Sequence, residues 1–387
     1  MSGILIHDGR RISHRKWATD AISGGHADGV IISPFTTPRV GVPRHPSAFD
    51  LAKDISEIRG EVIFDAMTHA RLLPGSNKTD FYDGWDLWSG GNPALGNPSE
   101  ILDHVERVFT RQDQLKSPHL TPTIPLRSPS SGDSELALNI ASAGRSLDSA
   151  TWQSLAGSRE FWSSGSALDS FIGSLASLRA PAWVLTVTND MVLDGVPDLS
   201  NVEAFTGLLR SIRSLSLRSR VIIAHADYSG LPAVAAGADT VGTGWDRAQR
   251  TFDPLSFHRD SDPGPRIPAS YVTQGMLHAV LRREVADAIQ RLDPVRAGQI
   301  RGGPLPLSDQ AERIHHLAQL RAAVLFVNAM SDPAPRVTAL RTRYAAAATE
   351  FDRLISSLSQ IVKAADKSAW CSRPSAVLEA YARDEGY

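Results

Sequence analysis

Short, almost purely apolar runs recur along the chain, and polar residues end most of them. The runs are GILIHDG (3–9), DGVIISPF (28–35), EVIFDAMT (61–68), LTPTIPL (120–126), AWVLTVTND (182–190), RVIIAHAD (220–227), DTVGTGW (239–245) and ASYVTQG (269–275). Alternating apolar and polar residues are typical of a sheet with one solvent-exposed face, whereas continuous apolar runs indicate strands that are covered on both faces. The pattern therefore predicts eight buried strands.

Helix signals separate several of these runs. Asn97 and Glu100 bracket a proline and supply an N-cap and a capping-box acid ahead of ILDHVERVF, and Ser200 with Glu203 does the same for a later helix. A short alanine-rich helix ends at Gly237 and leads into the next run. Repeated alternation of strand and helix predicts a closed (β/α)8 barrel of the TIM type. The alternative is an open doubly wound sheet, but HDGRRIS after the first run lacks its GxGxxG loop.

The pattern changes after about residue 305. QAERIHHLAQLRAAVLFVNAM and VTALRTRYAAAATEFDRLISSLSQIVKAA have apolar residues at helical spacing, with the turn signal SDPAPR between them. We therefore expect a barrel domain over residues 1–305 and a helical C-terminal layer over 306–387. The polar, serine-rich opening of residues 127–150 predicts a loop excursion between the fourth and fifth strands.

Composition narrows the class of protein. The chain has 387 residues, 42% hydrophobic and 21% charged, as an ordinary globular protein has. Its formal charge of -2 excludes a protein that holds polyanions by bulk positive charge but allows a local basic groove. A single cysteine, Cys371, excludes an internal disulfide and a cysteine-based zinc site. With no apolar run near the roughly 18 residues of a membrane span and a short apolar start, we expect a cytoplasmic protein without a membrane partner.

The polar residues that end the runs are the candidates for chemistry, because barrels of this class carry their active sites at the C-terminal ends of the strands. One aspartate after a strand is an ordinary cap, but several that converge on one barrel mouth indicate a site. The predicted catalytic residues are Asp65, Asp190, Asp227 and His225. The predicted substrate-binding residues at strand ends are Asp8, His69, Trp245, Asp246 and Gln274.

Three further patterns suggest ligands, each with a plainer alternative. Gly242 and Gly244 in GADTVGTGW indicate free amides for a phosphate, or simply a glycine-rich turn. Trp85 and Trp88 in FYDGWDLWSGG (81–91) indicate stacking on flat bases, or a lid packed on the barrel. Arg218 and Arg220 in LLRSIRSLSLRSR would face phosphates, or water.

A metal site is a fourth possibility. His7, Asp8, Asp65, His225 and Asp227 carry the ligand types for a divalent ion. The two-histidine motif on the first strand and the bridging lysine of metal-dependent barrels are missing. We therefore expect no metal and no cofactor.

Two segments resemble the barrel of the tRNA-guanine transglycosylase family and its DNA-modifying relatives. They are VIFDAM and the later RVIIAHADYSGLPAVAAGADTVGTGWDRAQR, and the likeness is scattered over residues 28–250. The resemblance implies that Asp65 is an acid/base carboxylate next to the base. It also places Gly242 where the family has its nucleophilic aspartate, and the family's zinc cysteines are absent. A missing nucleophile beside a retained acid/base group favours hydrolysis over base exchange.

These arguments predict a glycosylase that cleaves the N-glycosidic bond of a flipped, normal or modified base, with DNA favoured over RNA as partner. A base-exchanging transglycosylase is one alternative. Another is a metal- or phosphate-dependent barrel enzyme that acts on a small metabolite. A third is a binding module built from the barrel and the helical layer. The sequence leaves the oligomeric state open.

Overall fold

The computed structural model describes residues 3–9, 13–36, 47–188, 199–259 and 270–387. Within these ranges, eight parallel strands form one sheet: β1 (Gly3–His7), β2 (Gly29–Ile32), β3 (Glu61–Phe64), β4 (Pro125–Leu126), β5 (Gln153–Ser158), β6 (Ala182–Thr188), β7 (Arg220–Ile223) and β8 (Thr240–Thr243). Their order is β3-β2-β1-β8-β7-β6-β5-β4, so the first strand pairs with the last. This order confirms the predicted (β/α)8 barrel.

Helices connect the strands and cover the outside of the barrel. They are α1 (His14–Ser23), α2 (Ala48–Glu57), α3 (Thr68–Arg71), α4 (Pro98–Leu115), α5 (Gly132–Leu147), α6 (Arg159–Trp162), α7 (Gly165–Ala176), α8 (Val202–Ser216), α9 (Leu231–Ala236) and α10 (Arg247–Arg250). The N-cap expected at Asn97 is present, since its side chain accepts hydrogen bonds from the backbone of Ser99 and Glu100. The cap of α8 is Asn201 rather than Ser200.

A helical extension follows the barrel, as predicted. It begins with the hairpin β9 (Tyr271–Gln274) and β10 (Ala279–Arg282) and continues with α11 (Arg283–Leu292), α12 (Pro294–Arg301), α13 (Asp309–Asn328), α14 (Pro333–Ser357), α15 (Ala364–Lys367) and α16 (Arg373–Glu385). α13 contacts β1, α9 and β9, which fastens this layer to the barrel. Across the described ranges, no helix combines the length and apolar character needed to cross a bilayer.

The barrel interior is a small apolar cluster of its own, separate from the larger core between strands and helices. Its buried members are Leu5, Ile31, Ile63, Leu120, Val184, Ile222 and Ala224. Ile63 of β3 and Leu120, just before β4, belong to the same cluster although β3 and β4 are the two ends of the hydrogen-bonded order. The interior is therefore closed by packing where the backbone ladder is interrupted.

A side chain bridges that interruption. The buried amide of Gln112 on α4 donates to the carbonyl oxygens of Phe64 (3.0 Å) and Leu120 (2.9 Å), and it accepts the N–H of Leu120 (3.1 Å). The hydroxyl of Ser117 accepts the N–H of Phe64 at 2.8 Å. Buried backbone groups need such partners, so Gln112 replaces the missing strand-to-strand bonds.

Two sequence predictions about the barrel were wrong. The run 269–275 is not its eighth strand, because β9 pairs antiparallel with β10 in a separate hairpin. The missing barrel strand is β5, whose sequence QSLAGS is rich in small and polar residues and gives little strand signal. The stretch 127–150 opens as the predicted polar loop, but the loop ends at residue 131 and is not a longer excursion, since α5 occupies Gly132–Leu147.

We expect Gln112→Met to destabilise the protein, because the amide of Leu120 and the carbonyls of Phe64 and Leu120 would lose buried partners. The free energy of unfolding in urea should fall by about 3 kcal/mol. Gln114→Met is the matched control on the same helix, because Gln114 is exposed and, within the described part of the chain, accepts a side-chain bond only from Arg111. The control should change stability by less than about 0.5 kcal/mol. Equal effects of the two variants would show that Gln112 does not close the barrel.

Candidate functional site

A pocket of about 240 Å³ opens at the end of the barrel where the strands finish. We call it the mouth pocket. Its polar lining includes His7, Asp8, Thr36, Lys78, His225 and Asp246. His7 ends β1, and the other residues follow β1, β2, β3, β7 and β8, so the barrel brings together groups that are far apart in sequence.

His7 and His225 form a stacked pair in this pocket. Their ring centroids are 3.6 Å apart, and the backbone N–H of His225 donates to Nε2 of His7 at 3.0 Å. Burial, together with the neighbouring His225, lowers the pKa of His7 well below its usual value. His7 is therefore neutral with its proton on Nδ1, and it can offer a hydrogen bond to a ligand but is a poor base.

Asp8 is held by the turn after β2. The residue is 2% exposed, and its Oδ1 accepts the N–H of Ser33 (3.2 Å) and the hydroxyl of Thr36. The backbone N–H of Asp8 in turn donates to Ile31 at 2.9 Å. Two adjacent strand ends thus fix the orientation of this carboxyl group in the pocket.

Gln249 joins three parts of the mouth and is a residue that the sequence reading missed. Its Nε2 donates to the backbone oxygen of Asp8 (2.8 Å), and its Oε1 accepts the N–H groups of Trp245 (2.8 Å) and Asp246 (2.9 Å). The backbone oxygen of Gln249 also lies 3.1 Å from Nδ1 of His225. In the sequence, the one signal for this role is that Gln249 lies three residues after Asp246 and four after Trp245, within α10.

The glycines predicted to bind phosphate have a packing role in the structure. A Cβ on Gly242 would lie 2.5 Å from Nε2 of His7, and one on Gly244 would lie 2.3 Å from Cβ of Gln249. The amides that follow Gly244, those of Trp245 and Asp246, already donate to Gln249. These glycines thus permit the close approach of His7 and Gln249.

One wall of the mouth pocket is apolar. Phe35, Met67 and Phe257 line it, and the rings of Phe35 and Phe257 pack edge to face with centroids 4.7 Å apart. Neither Phe257 nor Lys78 was a sequence candidate, because their segments carry no strand-end signal. A flat or apolar face of a ligand would fit this wall, with its polar edge towards Asp8 and His7.

Asp65 lies next to Met67, one of the residues that line the pocket. It follows Ile63 by two residues and so shares the interior face of the barrel with it. The residue is 5% exposed, and its Oδ1 accepts the N–H of Met67 at 2.8 Å. Burial raises the pKa of Asp65 to about 6, although the Met67 bond opposes this. Met67 lines the pocket, whereas Asp65 is not among the lining residues.

Asp227 is held at the same end of the barrel but outside the mouth pocket. Its Oδ1 accepts the N–H of Tyr228 (2.7 Å), and its Oδ2 accepts bonds from Thr243 (2.6 Å) and His316 (2.9 Å). Burial acts to raise the pKa of Asp227, but the charge and hydrogen bond of His316, the charge of Arg250 at 3.5 Å and the hydrogen bond of Thr243 outweigh it and hold the pKa below its usual range. Asp227 therefore anchors helix α13 to the end of β7.

The expected convergence of three aspartates in one cavity is thus not observed in the described residues. Asp65 and Asp227 lie at the C-terminal ends of β3 and β7, but neither lines the mouth pocket. Asp190 lies outside the described residues. His69 is buried behind Phe252, with ring centroids 5.5 Å apart, and burial lowers its pKa to about 3.

The predicted stacking residues are packed inside the protein. Trp85 is 1% exposed and packs on Phe64 at 4.8 Å between centroids, and Trp88 stacks on His104 at 3.7 Å. This is the lid arrangement that the sequence left open as the alternative to base stacking.

Two other predicted contacts are also buried. Trp245 donates from Nε1 to His14 at 2.7 Å. Gln274 lies on β9 outside the barrel, because the run that contained it is not a barrel strand.

The predicted phosphate-binding arginines lie at the other end of the barrel. Arg220 is the first residue of β7 and forms a two-bond ion pair with Glu61, at 2.5 and 2.8 Å. Arg218 precedes it and is exposed. Neither side chain can contact a group in the mouth pocket.

The described side chains do not form the cluster of ligands that a metal site would need. The part of the chain that the structure describes contains no group of three or more histidine, cysteine, aspartate or glutamate side chains placed to hold a metal ion. Nε2 of His7 and Nδ1 of His225 are already hydrogen-bonded to backbone groups.

Comparisons with known proteins do not indicate a function for this chain. No family model matches the chain, and no curated protein matches it. Among solved structures, it is similar to a probable tagatose 6 phosphate kinase from Sinorhizobium meliloti 1021, at 13% identity over 100% of this chain and 99% of that one, with a TM-score of 0.31. A TM-score this low supports no conclusion about fold or function. The resemblance to the transglycosylase family stays a prediction.

Asp65 gives a pH-dependent prediction about stability. Its pKa is about 6 in the folded chain and 3.8 as a free group, so the folded protein binds the proton more tightly. Its contribution to stability is therefore greatest below about pH 4 and is lost as the pH rises through about 6. This loss amounts to about 3 kcal/mol at most. Asp65→Asn stays neutral, so its stability relative to wild type should increase by roughly that amount between about pH 4 and pH 8.

Urea unfolding of both proteins at several pH values measures this difference. The comparison at low pH is an internal control, because Asp65 is then protonated and the two side chains are both neutral. Asp133→Asn, at an exposed carboxyl group on α5, controls for the lost charge. A constant difference between Asp65→Asn and wild type at all pH values would contradict the raised pKa.

Proposed function

We propose that the chain is a barrel enzyme that performs acid–base chemistry on a small polar molecule in the mouth pocket, and that the reaction is hydrolysis of an N-glycosidic bond. The observation that carries this proposal is the oriented carboxyl group of Asp8 beside the neutral imidazole of His7 in a pocket of about 240 Å³. Such a volume accommodates one nucleoside-sized unit rather than a larger ligand.

The chemistry needs two kinds of group. Bond cleavage produces an oxocarbenium-like sugar, so a carboxylate that activates water or stabilises positive charge lowers the barrier. Asp8 has that type of side chain and is fixed by Ser33 and Thr36. The leaving base gains from a hydrogen-bond donor, which Nδ1–H of His7 or the ammonium of Lys78 supplies. The aromatic wall at Phe35 and Phe257 would cover the flat face of the base.

Asp65 is the second carboxyl group in this proposal. It faces the barrel interior and its pKa of about 6 suits a group that gives and takes a proton near neutrality. The resemblance to the transglycosylase family assigns the acid/base role to Asp65. Asp65 accepts a hydrogen bond from Met67, and Met67 lines the pocket.

A nucleotide within a nucleic acid and a free nucleoside both contain the N-glycosidic bond that the proposed reaction cleaves. A flipped nucleotide is the substrate implied by the family resemblance. The free nucleoside, or another small metabolite, is favoured by the packing of Trp85 and Trp88 inside the protein and by the distance of Arg218 and Arg220 from the mouth.

The first test uses Asp8→Asn. The variant keeps the shape of the side chain but not its charge, so release of free base should be at least about a hundredfold slower. Wild-type protein is incubated with ribonucleosides, deoxynucleosides and short oligonucleotides, and released base is measured by chromatography. Glu57→Gln, at an exposed residue of α2, is the control and should keep the wild-type rate.

Two results would count against the proposal. Full activity of Asp8→Asn would remove Asp8 from the reaction. If wild-type protein releases no base from any of these substrates, the N-glycosidic bond is not the target. A thermal-shift screen with sugars and sugar phosphates then tests the metabolite enzyme. The substrate that reacts, free or in a strand, decides between the nucleoside and the nucleic acid.

The second test separates catalysis from structure at Asp65. We expect Asp65→Asn to release base at least about a hundredfold more slowly than wild type. Measured on the same preparation at about pH 8, its stability should be raised, because no charge is buried. A less active but more stable variant cannot be explained by misfolding. Full activity would restrict Asp65 to a structural role.

A further inference from the structure

The N-terminal face of the barrel, where the strands begin, carries an arginine-rich groove of about 550 Å³. We call it the basic groove. Its arginines are Arg213, Arg218, Arg220 and Arg336. Arg213, Arg218 and Arg220 come from the stretch between the end of α8 and the start of β7, and Arg336 comes from the first turn of α14. Two segments that are far apart in sequence thus contribute to one surface.

The charges in the groove are only partly balanced. Arg220 is paired with Glu61, and Asp239 is the acidic residue that lines the groove itself. Arg213 and Arg218 have no ion pair with any described residue. Arg336 donates to the carbonyl oxygens of Met330 (2.7 Å) and Val234 (3.4 Å), and the charges of Asp239 and Asp332 also act on it.

The balance of the groove is therefore positive in a chain whose formal charge is -2. The three arginines Arg213, Arg218 and Arg336 outnumber the two acids Asp239 and Asp332, since Arg220 is already paired with Glu61. Like charges gathered in one groove repel each other, and a bound anion would relieve that repulsion. Planar guanidinium groups can bind the paired oxygens of a phosphate group with two parallel hydrogen bonds.

We propose that the basic groove binds a phosphate-bearing ligand, with Arg213 and Arg218 making the direct contacts and Arg336 fixed behind them. The groove is open and larger than one phosphate group, so it fits a diphosphate, a nucleotide or a stretch of nucleic-acid backbone. This site is at the opposite end of the barrel from the mouth pocket, and it does not depend on the proposed reaction.

Binding of two probes tests the proposal. Inorganic pyrophosphate is titrated by calorimetry, and a fluorescent single-stranded oligonucleotide is titrated by anisotropy. At least one should bind, and raising the salt from about 50 to about 200 mM should weaken oligonucleotide binding on the order of tenfold. Arg213→Gln combined with Arg218→Gln should weaken binding at least about tenfold. Binding of pyrophosphate alone identifies a small phosphorylated ligand, and binding of the oligonucleotide identifies a nucleic-acid backbone.

The control is Arg291→Gln, at an exposed arginine on α11 outside the groove, which should bind both probes as wild type does. If the double variant does not fold, Arg218→Gln alone carries the test, because this side chain is exposed and should still show a loss of affinity. The proposal is overturned if neither probe binds wild-type protein, or if the arginine variants bind as tightly as Arg291→Gln.

Discussion

Closure of the barrel between β3 and β4 is the constraint on which the remaining structure depends. Only two residues of the fourth segment form a strand, so the backbone ladder cannot complete the ring. The side chain of Gln112 supplies the missing hydrogen bonds from α4, and Leu120 completes the apolar interior. A closed interior fixes the strand ends in a ring, and that ring holds His7, Asp8 and Asp65 at one end.

The same ring places conformational strain at the mouth. Met67, His225 and Asp227 have φ angles of 47°, 49° and 47°, in the left-handed region that non-glycine residues seldom adopt. Such residues cost of order 1–3 kcal/mol each and persist only where neighbouring contacts hold them. Here the holding contacts are the bond from Met67 to Asp65, the bond from His225 to His7, and the links of Asp227 to Thr243 and His316.

The C-terminal helical layer supports the mouth as well as covering the barrel. His316 on α13 bonds to Asp227 and to the hydroxyl of Thr273, at 2.9 Å in each case. Glu312, one turn earlier, accepts the N–H of Thr273 at 2.7 Å. One helix therefore ties the β9–β10 hairpin to the end of β7, next to His225 of the pocket. Arg321 of the same helix pairs with Asp28 at 2.7 Å, near the start of β2.

The sequence alone determined the class of fold and the end of the barrel where polar groups gather. Continuous apolar runs and capped helices are local signals, so they revealed seven segments of the barrel and the C-terminal helices. Local signals could not reveal β5, because QSLAGS lacks the residues that favour strands, nor could they exclude the run at 271–274, which forms a strand with a different partner.

Tertiary structure decided which of the candidate residues meet. Asp8, His225 and Asp246 line the pocket as strand-end residues, whereas Asp227, Trp85 and Trp88 are used for packing and anchoring. Nothing local distinguishes these groups, because an aspartate after a strand has the same neighbours in sequence whether it faces a pocket or a helix. Local sequence also gives no sign of the roles of Gln112, Gln249 and His316. Each of them bonds to partners that come close only when the barrel closes and α13 packs against it.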